Sequence, residues 1–170
     1  MASARAGNVI GGGDWAKDRL IPDCMRALSR NRPIVIRHPD AVRPWQHVLD
    51  PLAGYLSLAE RLWRGPEHAE AWNFGPRDED IRPVRWIVDR LVLLWGGSAS
   101  WKLDDHSHPH EAHHLSLDCS KARARLGWSP RLDLDRALEW VVTWHRRRQA
   151  GEPAAKITLD QIQDYLRLGR

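Results

Sequence analysis

The chain has 170 residues, enough for one domain with a hydrophobic core, and its 42% hydrophobic and 28% charged residues are typical of globular proteins. No apolar run approaches the ~20 residues of a membrane span, and the first residues lack the apolar core of a secretion signal, so we expect a cytoplasmic protein with no membrane partner. The net charge of +4 is a small excess that argues against a nucleic-acid partner. Cys24 and Cys119 are expected to be buried free thiols.

Extended and helical patterns alternate along the first half of the chain. The predicted elements are a strand at 4–9, a helix at 21–29, strands at 33–37 and 43–48, and a helix from 50 to 64. We expect the strands at 33–37 and 43–48 to form a hairpin, because a His-Pro-Asp turn separates them. Asp50 and Pro51 are residue types that cap and start helices. The apolar stripe of this helix is predicted to face the core: Leu52, Tyr55, Leu56, Ala59, Leu62 and Trp63.

The second half continues this alternation. The predicted elements are a strand at 71–74, a helix from 83 to 95, strands at 100–103 and 115–117, a short helix after Asp118, and a long helix at 134–149. Thr158 and Gln161 have the spacing of a capping box for a final short helix. Strands that alternate with helices predict an α/β fold, in one domain covering residues 1–170.

The turn near residue 10 carries the clearest functional signal. Asn8 precedes three consecutive glycines, Gly11 to Gly13, which let a backbone approach a ligand or adopt dihedral angles that a Cβ forbids. The Asn8 amide can offer both a donor and an acceptor to the space at this turn. This combination at a strand end is suited to a nucleotide-sugar site.

A histidine-rich segment at 104–114 permits two interpretations. Its five histidines could ligate zinc as neutral imidazoles: His106, His108, His110, His113 and His114. No cysteine is nearby, and the segment is predicted to be a loop, so it does not present a helical pair of histidines beside a glutamate. We therefore predict no metal ligands, and we prefer a role for this loop near a bound nucleotide.

Five motifs occur in order along the chain: Ala-Gly-Asn-Val-Ile-Gly-Gly-Gly-Asp-Trp from Ala6, Arg-Leu-Ile-Pro-Asp from Arg19, Arg-Pro-Trp-Gln-His-Val-Leu-Asp-Pro-Leu from Arg43, Pro-His-Glu-Ala-His from Pro109 and Leu-Gly-Trp-Ser-Pro from Leu126. Through these motifs the chain resembles the C-terminal half of the CDP-glucose 4,6-dehydratases, in the extended short-chain dehydrogenase/reductase superfamily. The triple-glycine and Arg-Pro-Trp-Gln-His-Val motifs are fairly specific for these enzymes.

The resemblance implies a fold and a reaction. The fold would be the C-terminal portion of an extended Rossmann-type dehydratase, with the last sheet strands at 4–9 and 71–74 and a small mixed α/β substrate-binding domain. In this family a bound NAD takes a hydride from C4 of the sugar, water leaves across C5 and C6, and the hydride returns to C6. The product is a CDP-linked 4-keto-6-deoxy sugar used for surface polysaccharides.

The resemblance also implies contacts with a CDP-sugar. The implied substrate-binding residues are Asn8, Leu20, Ile21, Arg43, Trp45, His47, His110 and His113. Arg43 corresponds to an arginine that reaches the phosphate or ribose, a role that suits a guanidinium because it donates paired hydrogen bonds and keeps its charge. Trp45 and His47 would share its face by strand alternation. Asn8 and Arg43 must then line one cleft.

Two further contacts follow from the resemblance. His110 and His113 lie in the segment that closes the nucleotide pocket in relatives, where an arginine is often found. The backbone of Ala6 and Gly7 would line the nicotinamide edge of NAD. Helix packing alone would explain the apolar character of Leu20 and Ile21 equally well.

The family's catalytic residues belong to its other half, and we predict none in this chain. Tyr55 and Tyr165 are followed four positions later by Ala59 and Gly169, so no Tyr-x-x-x-Lys pair occurs. The sequence also lacks a Gly-x-x-Gly-x-x-Gly turn for the NAD pyrophosphate. We expect a truncated chain that is inactive alone.

Alternatives remain open for how such a chain would act. It could pair with a missing N-terminal half, form a homo-oligomer, or serve as an accessory subunit that is active with a separate NAD-binding chain. A basic or metal-binding module unrelated to sugars is a further alternative. Because parallel sheets are normally covered on both faces, we also expect exposed strand edges, poor solubility or a weakly cooperative melt for the isolated chain.

Overall fold

The computed structural model describes residues 1–106 and 112–169, and within them the chain has the predicted α/β fold. The helices are α1 (Leu20–Leu28), α2 (Leu49–Arg64), α3 (Val84–Trp95), α4 (Ser120–Leu126), α5 (Leu134–Gln149) and α6 (Ala154–Arg167). The strands are β1 (Ser3–Ala6), β2 (Asn8–Ile10), β3 (Ile34–Ile36), β4 (Val42–His47), β5 (Ala71–Phe74), β6 (Ile81–Pro83) and β7 (Trp101–Leu103). In this part of the chain, none of the helices is long and apolar enough to cross a bilayer.

The strands form three small sheets in the described residues. β1 pairs in parallel with β5, with Ser3 opposite Ala71 and Ala6 opposite Phe74. β2 pairs in parallel with β4, and β4 pairs on its other side with β6 in the antiparallel direction. β3 pairs in parallel with β7. Strands that are neighbours in sequence therefore belong to different sheets.

One extended segment near the N-terminus supplies strands to two of these sheets. The sequence predicted a single strand at 4–9, whereas the structure divides the segment at Gly7 into β1 and β2. A Cβ on Gly7 would clash with the carbonyl oxygen of Pro44. The glycine therefore lets the chain leave the β1–β5 sheet and pass closely beside β4.

The predicted hairpin of 33–37 with 43–48 is wrong. Both segments are strands, but β3 pairs with β7 and β4 lies between β2 and β6. The backbone N–H of Ile34 donates to the carbonyl oxygen of Ser100 at 2.9 Å, and that of Asp104 donates to Ile36 at 2.8 Å. Strand pairing depends on partners distant in sequence, which the local turn signal does not contain.

Within the described residues, two clusters of buried apolar side chains form the core. The larger joins α1, α3 and α5 to β3 and β4, and it includes Met25, Ile87 and Leu138. The smaller packs α2 and α4 against Trp72 and Phe74 of β5. Both cysteines are buried and free, as predicted.

Helix α2 departs from its predicted single inward stripe. Leu58 is buried and Tyr55 and Leu62 pack against the smaller cluster. Leu56 and Trp63, which were predicted to face inward, are 73% and 92% exposed. The helix is apolar on two faces, so periodicity alone could not decide which face meets the core.

Asp50 does not cap α2, contrary to the prediction. It is the second residue of that helix, and its buried carboxylate accepts a hydrogen bond from the backbone N–H of Arg131 at 2.7 Å. It also accepts one from the Tyr165 hydroxyl at 2.8 Å. Two long-range hydrogen bonds therefore converge on Oδ1 of Asp50, in place of a local bond to the helix end.

Two predictions for the last third of the chain are also wrong. Residues 115–117 are not a strand, although the N–H of Leu115 donates to the carbonyl oxygen of Val42 at 3.1 Å. α6 begins at Ala154, so Thr158 lies inside it and its hydroxyl accepts from the indole N–H of Trp144 at 3.0 Å. The Thr158 hydroxyl satisfies a buried donor rather than a helix end.

Candidate functional site

A cleft of about 580 Å³ lies among β2, β3, β4 and the first turn of α1. Residues 7–11 and the side chains of Arg43 and Trp45 contribute from the paired strands β2 and β4. The remaining surface comes from the loop before α1, the start of α1, β3 with the two residues after it, and Val84 at the start of α3. The volume falls within the ~300–1,000 Å³ of small-molecule sites.

Most of the residues implied by the resemblance meet at this cleft. Those that line it are Gly7, Asn8, Leu20, Ile21, Arg43 and Trp45. Ala6, His47 and His113 are not among the lining residues. His110 lies outside the described residues. Asn8 and Arg43 thus share one cleft, which is the condition on which the sequence interpretation depended.

The pairing of β2 with β4 explains why Asn8 and Arg43 come together. Asn8 lies opposite Trp45, two positions along β4 from Arg43. Arg43 is only 4% exposed, and its Nη1 donates to the carbonyl oxygen of Val42 at 2.8 Å. A guanidinium held in such a low-dielectric position attracts an anion more strongly than one on the surface.

Trp45 contributes an apolar surface to the cleft. Its indole N–H donates to the carbonyl oxygen of Arg82, across the β4–β6 pair, at 3.0 Å. This bond orients the ring and uses its one polar hydrogen. Trp45 therefore offers a bound molecule packing area rather than a hydrogen bond.

His47 is a core histidine rather than a cleft residue. The ring is buried, its Nδ1 accepts from the backbone N–H of Leu49 at 3.4 Å, and its edge meets the ring of Trp140 at 5.5 Å between centroids. Burial lowers the pKa of His47 to about 4. Strand alternation correctly grouped it with Arg43 and Trp45, but the cleft ends before it.

His113 is exposed and is attached next to the cleft through its backbone. Its carbonyl oxygen accepts from the N–H of Val42 at 2.7 Å, one residue before Arg43. Across residues 1–106 and 112–169, no group of three or more histidine, cysteine, aspartate or glutamate side chains is placed to hold a metal ion. His108, like His110, lies outside those ranges.

Among the described residues, five charged side chains on the cleft were missed by the sequence analysis. They come from the loop before α1, from α1 itself and from the position after β3: Asp14, Asp18, Arg19, Asp23 and Arg37. Arg37 Nη2 is 3.0 Å from Asp18 Oδ1, and Arg19 Nη1 is 3.9 Å from Asp14 Oδ2. The available signal was the alternation of acidic and basic residues from Asp14 to Arg19. The position of Arg37 depends on the tertiary structure.

The three consecutive glycines have a packing role as well as a place at the cleft. Of these three glycines, only Gly11 lines the cleft. A Cβ on Gly12 would clash with the indole ring of Trp144, and Gly13 has a φ of 81°. The close backbone approach predicted for a ligand is therefore, at Gly12, an approach to α5.

Comparison with known proteins adds a close relative. No family model matches the chain. The chain is 55% identical over 167 residues to CDP-glucose 4,6-dehydratase of Salmonella typhimurium, and the match covers 98% of this chain and 46% of that enzyme. This chain is a relative of CDP-glucose 4,6-dehydratase. The resemblance recognised from the motifs is confirmed, and the chain spans about half the length of this curated relative.

Solved structures confirm the fold class. UDP-glucuronic acid 4-epimerase from Bacillus cereus, solved with UDP-glucuronic acid and NAD, has a TM-score of 0.71 at 20% identity, covering 85% of this chain and 44% of that one. The dTDP-glucose 4,6-dehydratase from Bacillus anthracis, in complex with NAD, has a TM-score of 0.67 at 16% identity, with 88% and 45% covered. UDP-glucose 4-epimerase from Thermotoga maritima, solved with UDP-glucose, has a TM-score of 0.69 at 22% identity, and the match covers 87% of this chain and 46% of that one.

Proposed function

We propose that this chain forms the nucleotide-sugar binding part of a 4,6-dehydratase that converts CDP-glucose to CDP-4-keto-6-deoxyglucose. The observation that carries the proposal is that Asn8 and Arg43, implied as ligands by the resemblance, line one cleft of suitable volume. The 55% identity to an enzyme named for CDP-glucose supports the choice of substrate.

The chemistry of the cleft suits a diphosphate between two less charged ends. Arg43 supplies a buried cation for the phosphate oxygens, and the Asn8 amide supplies a donor and an acceptor. Leu20, Ile21 and Trp45 supply apolar area for the base or the sugar ring. In this proposal Arg43 and Asn8 hold and orient the substrate, and neither moves a proton.

In this proposal the described residues of this chain do not by themselves hold NAD. Of the two positions implied for the cofactor, Gly7 lines the cleft and Ala6 does not. The space beside Gly7 where a Cβ would lie is taken by Pro44, so its missing side chain makes room for β4. We propose that the NAD site belongs to other polypeptide and that this chain alone is inactive, and we derive no hydride step from its residues.

Isothermal titration of CDP and of cytidine tests the proposal. The wild-type chain should bind CDP. Arg43→Gln should lower the affinity for CDP at least tenfold, because a charge-assisted hydrogen bond contributes about 1.5–3 kcal/mol. Cytidine lacks phosphate, so its weaker binding should be insensitive to this change. Arg82→Gln is the matched control, since Arg82 lies opposite Arg43 on β6 and is exposed. Failure of the wild-type chain to bind CDP would exclude the proposal.

An accessory-subunit arrangement is the second candidate. It is favoured by the apolar face of α2 at Leu56 and Trp63, which is exposed and suited to contact with another polypeptide. Mixing this chain with the remaining, N-terminal part of the Salmonella enzyme and NAD would test it. Formation of the 4-keto sugar in the mixture, and in neither component alone, would favour this arrangement.

A further inference from the structure

Asp18 and Arg37 come from different elements and meet at the cleft. Asp18 lies in the loop before α1, Arg37 directly follows β3, and both line the cleft. Arg37 Nη2 is 3.0 Å from Asp18 Oδ1. The Asp18 and Arg37 side chains are 74% and 55% exposed. An ion pair so open to water contributes little to folding stability, so stability does not explain its position.

The backbone of Asp18 is held in an uncommon conformation. Its φ is 59°, in the left-handed region, which aspartate and asparagine adopt more readily than most residues but still at a cost. This conformation lies two residues before Leu20, where α1 begins. A strained residue at a cleft, paired with a weakly stabilising partner, is more consistent with a binding role than with a structural one.

Apolar side chains flank both members of the pair. Leu20 and Ile21 follow Asp18, Ile36 precedes Arg37, and all of them line the cleft. The flat face of a nucleotide base can pack on such surfaces, while its polar edge needs donors and acceptors within reach. Because the proposed function places the diphosphate at the buried Arg43, the pair at the rim is left for the base.

We propose that Asp18 and Arg37 read the edge of the base and select cytosine over uracil, an inference that rests on the proposed function. A carboxylate only accepts hydrogen bonds and a guanidinium only donates them. Their mutual bond uses one oxygen and one nitrogen, so Asp18 keeps a second oxygen and Arg37 keeps further N–H groups. Side by side they present an acceptor beside a donor.

Cytosine matches this arrangement and uracil opposes it. The N4 amino group of cytosine donates to Asp18, and its N3 and O2 atoms accept from Arg37. Uracil has a carbonyl oxygen at C4 and an N–H at N3, which would place acceptor against acceptor and donor against donor. A base seated against the pair shields it from water, and polar groups left unpaired under a bound ligand are a strong source of discrimination between close analogues.

The test is a comparison of CDP and UDP affinities by isothermal titration of the full 170-residue chain. Wild-type chain should bind CDP at least tenfold more tightly than UDP. Asp18→Asn should reduce this ratio to threefold or less, because the amide nitrogen can face the C4 carbonyl of uracil. Asparagine tolerates the left-handed region as well as aspartate does, so the loop should keep its conformation.

Asp14→Asn is the matched control, because Asp14 is another cleft carboxylate from the loop before α1 and lies beside an arginine. It should leave the CDP-to-UDP ratio unchanged. A wild-type ratio near one, or a ratio that survives Asp18→Asn, would overturn the inference and leave the nucleotide-binding proposal intact. Absence of binding by both nucleotides would instead overturn the proposed function, and the inference with it.

Discussion

The hydroxyl of Tyr165 donates a 2.8 Å hydrogen bond to Oδ1 of Asp50, joining α6 to the start of α2. Asp50 is fully buried and also accepts from the N–H of Arg131 at 2.7 Å. Burial raises the pKa of Asp50, and burial together with the nearby Asp50 charge raises the pKa of Tyr165. Asp50 follows the end of β4 by three residues, so this network anchors the strand that carries Arg43.

Tyr165→Phe should therefore destabilise the chain. The substitution removes a donor from a buried carboxylate, which typically costs about 1–3 kcal/mol. Urea denaturation followed by tryptophan fluorescence measures the free energy of unfolding. Tyr55→Phe is the control, because the Tyr55 hydroxyl makes no hydrogen bond within the described part of the chain, and it should cost less than about 0.5 kcal/mol. Equal effects of the two changes would contradict the assigned role of Asp50.

Acid should weaken the fold through its buried histidines. Burial lowers the pKa of His47 and of His145 to about 4, from 6.5. Between pH 6.5 and 4 the unfolded chain binds protons that the folded chain excludes, so the free energy of unfolding falls as the pH falls. For the more buried His47, this effect is about 3 kcal/mol at ~1.4 kcal/mol per pKa unit.

A substitution isolates the contribution of His47 from that of buried carboxyls such as Asp50. The raised pKa of Asp50 makes the free energy of unfolding rise as the pH falls, which opposes the histidine effect. His47→Phe keeps an aromatic ring against Trp140 and cannot be protonated. The stability difference between wild type and this variant should shift in the variant's favour by about 2 kcal/mol between pH 7.5 and 4.5. His114→Gln, at an exposed histidine, is the control, and the change measured for His47→Phe should exceed the change measured for His114→Gln. A pH-independent difference for His47→Phe would contradict the prediction.

Gly12→Ala should be strongly destabilising. The added Cβ would clash with the indole ring of Trp144, which is buried and hydrogen-bonded to Thr158. Overpacking of this kind costs about 1–3 kcal/mol. A double-mutant cycle with Trp144→Ala tests the contact, because the two effects should be less than additive when the ring is absent. Full additivity would show that the glycine is required for another reason.

The exposed face of α2 should limit the solubility of the isolated chain. Leu56→Lys combined with Trp63→Lys should raise the concentration at which light scattering detects association, because contiguous exposed apolar side chains promote self-association. The free energy of unfolding should change by less than about 0.5 kcal/mol, since both side chains are exposed. Leu159→Lys is the control, as a leucine that is 57% exposed on α6. Equal solubility of the double variant and wild type would contradict this account.

Local sequence signals predicted the positions of helices and strands better than they predicted which strands pair. The strand at 71–74 and the helix at 134–149 were assigned with the bounds that the structure has. Their apolar patterns and flanking turn residues lie within a few positions of each element. The hairpin of β3 with β4 was wrong because β3 pairs with β7, about 67 positions farther along the chain at the Ile34–Trp101 pair, and no local pattern contains that information.

The residues of the candidate site also fall into two groups, those that sequence motifs implied and those whose position depends on the tertiary structure. Asn8, Leu20, Ile21 and Arg43 were implied by motifs, and all of them line the cleft. His47 shares a strand face with Arg43, but packing against Trp140 places it in the core. Asp18 and Arg37 were not predicted, because their pairing depends on how the loop before α1 lies beside β3.

By itself the sequence determined the α/β class, most of the elements and the resemblance to a CDP-glucose dehydratase, because periodicity, turn residues and motifs are properties of neighbouring positions. Only the tertiary structure decided which strands pair, that Asp50 binds Tyr165 instead of capping its helix, and which charged side chains share the cleft. Hydrogen bonds and ion pairs between distant residues form only where the folded backbone brings their atoms within about 3 Å, and a linear pattern does not specify that distance.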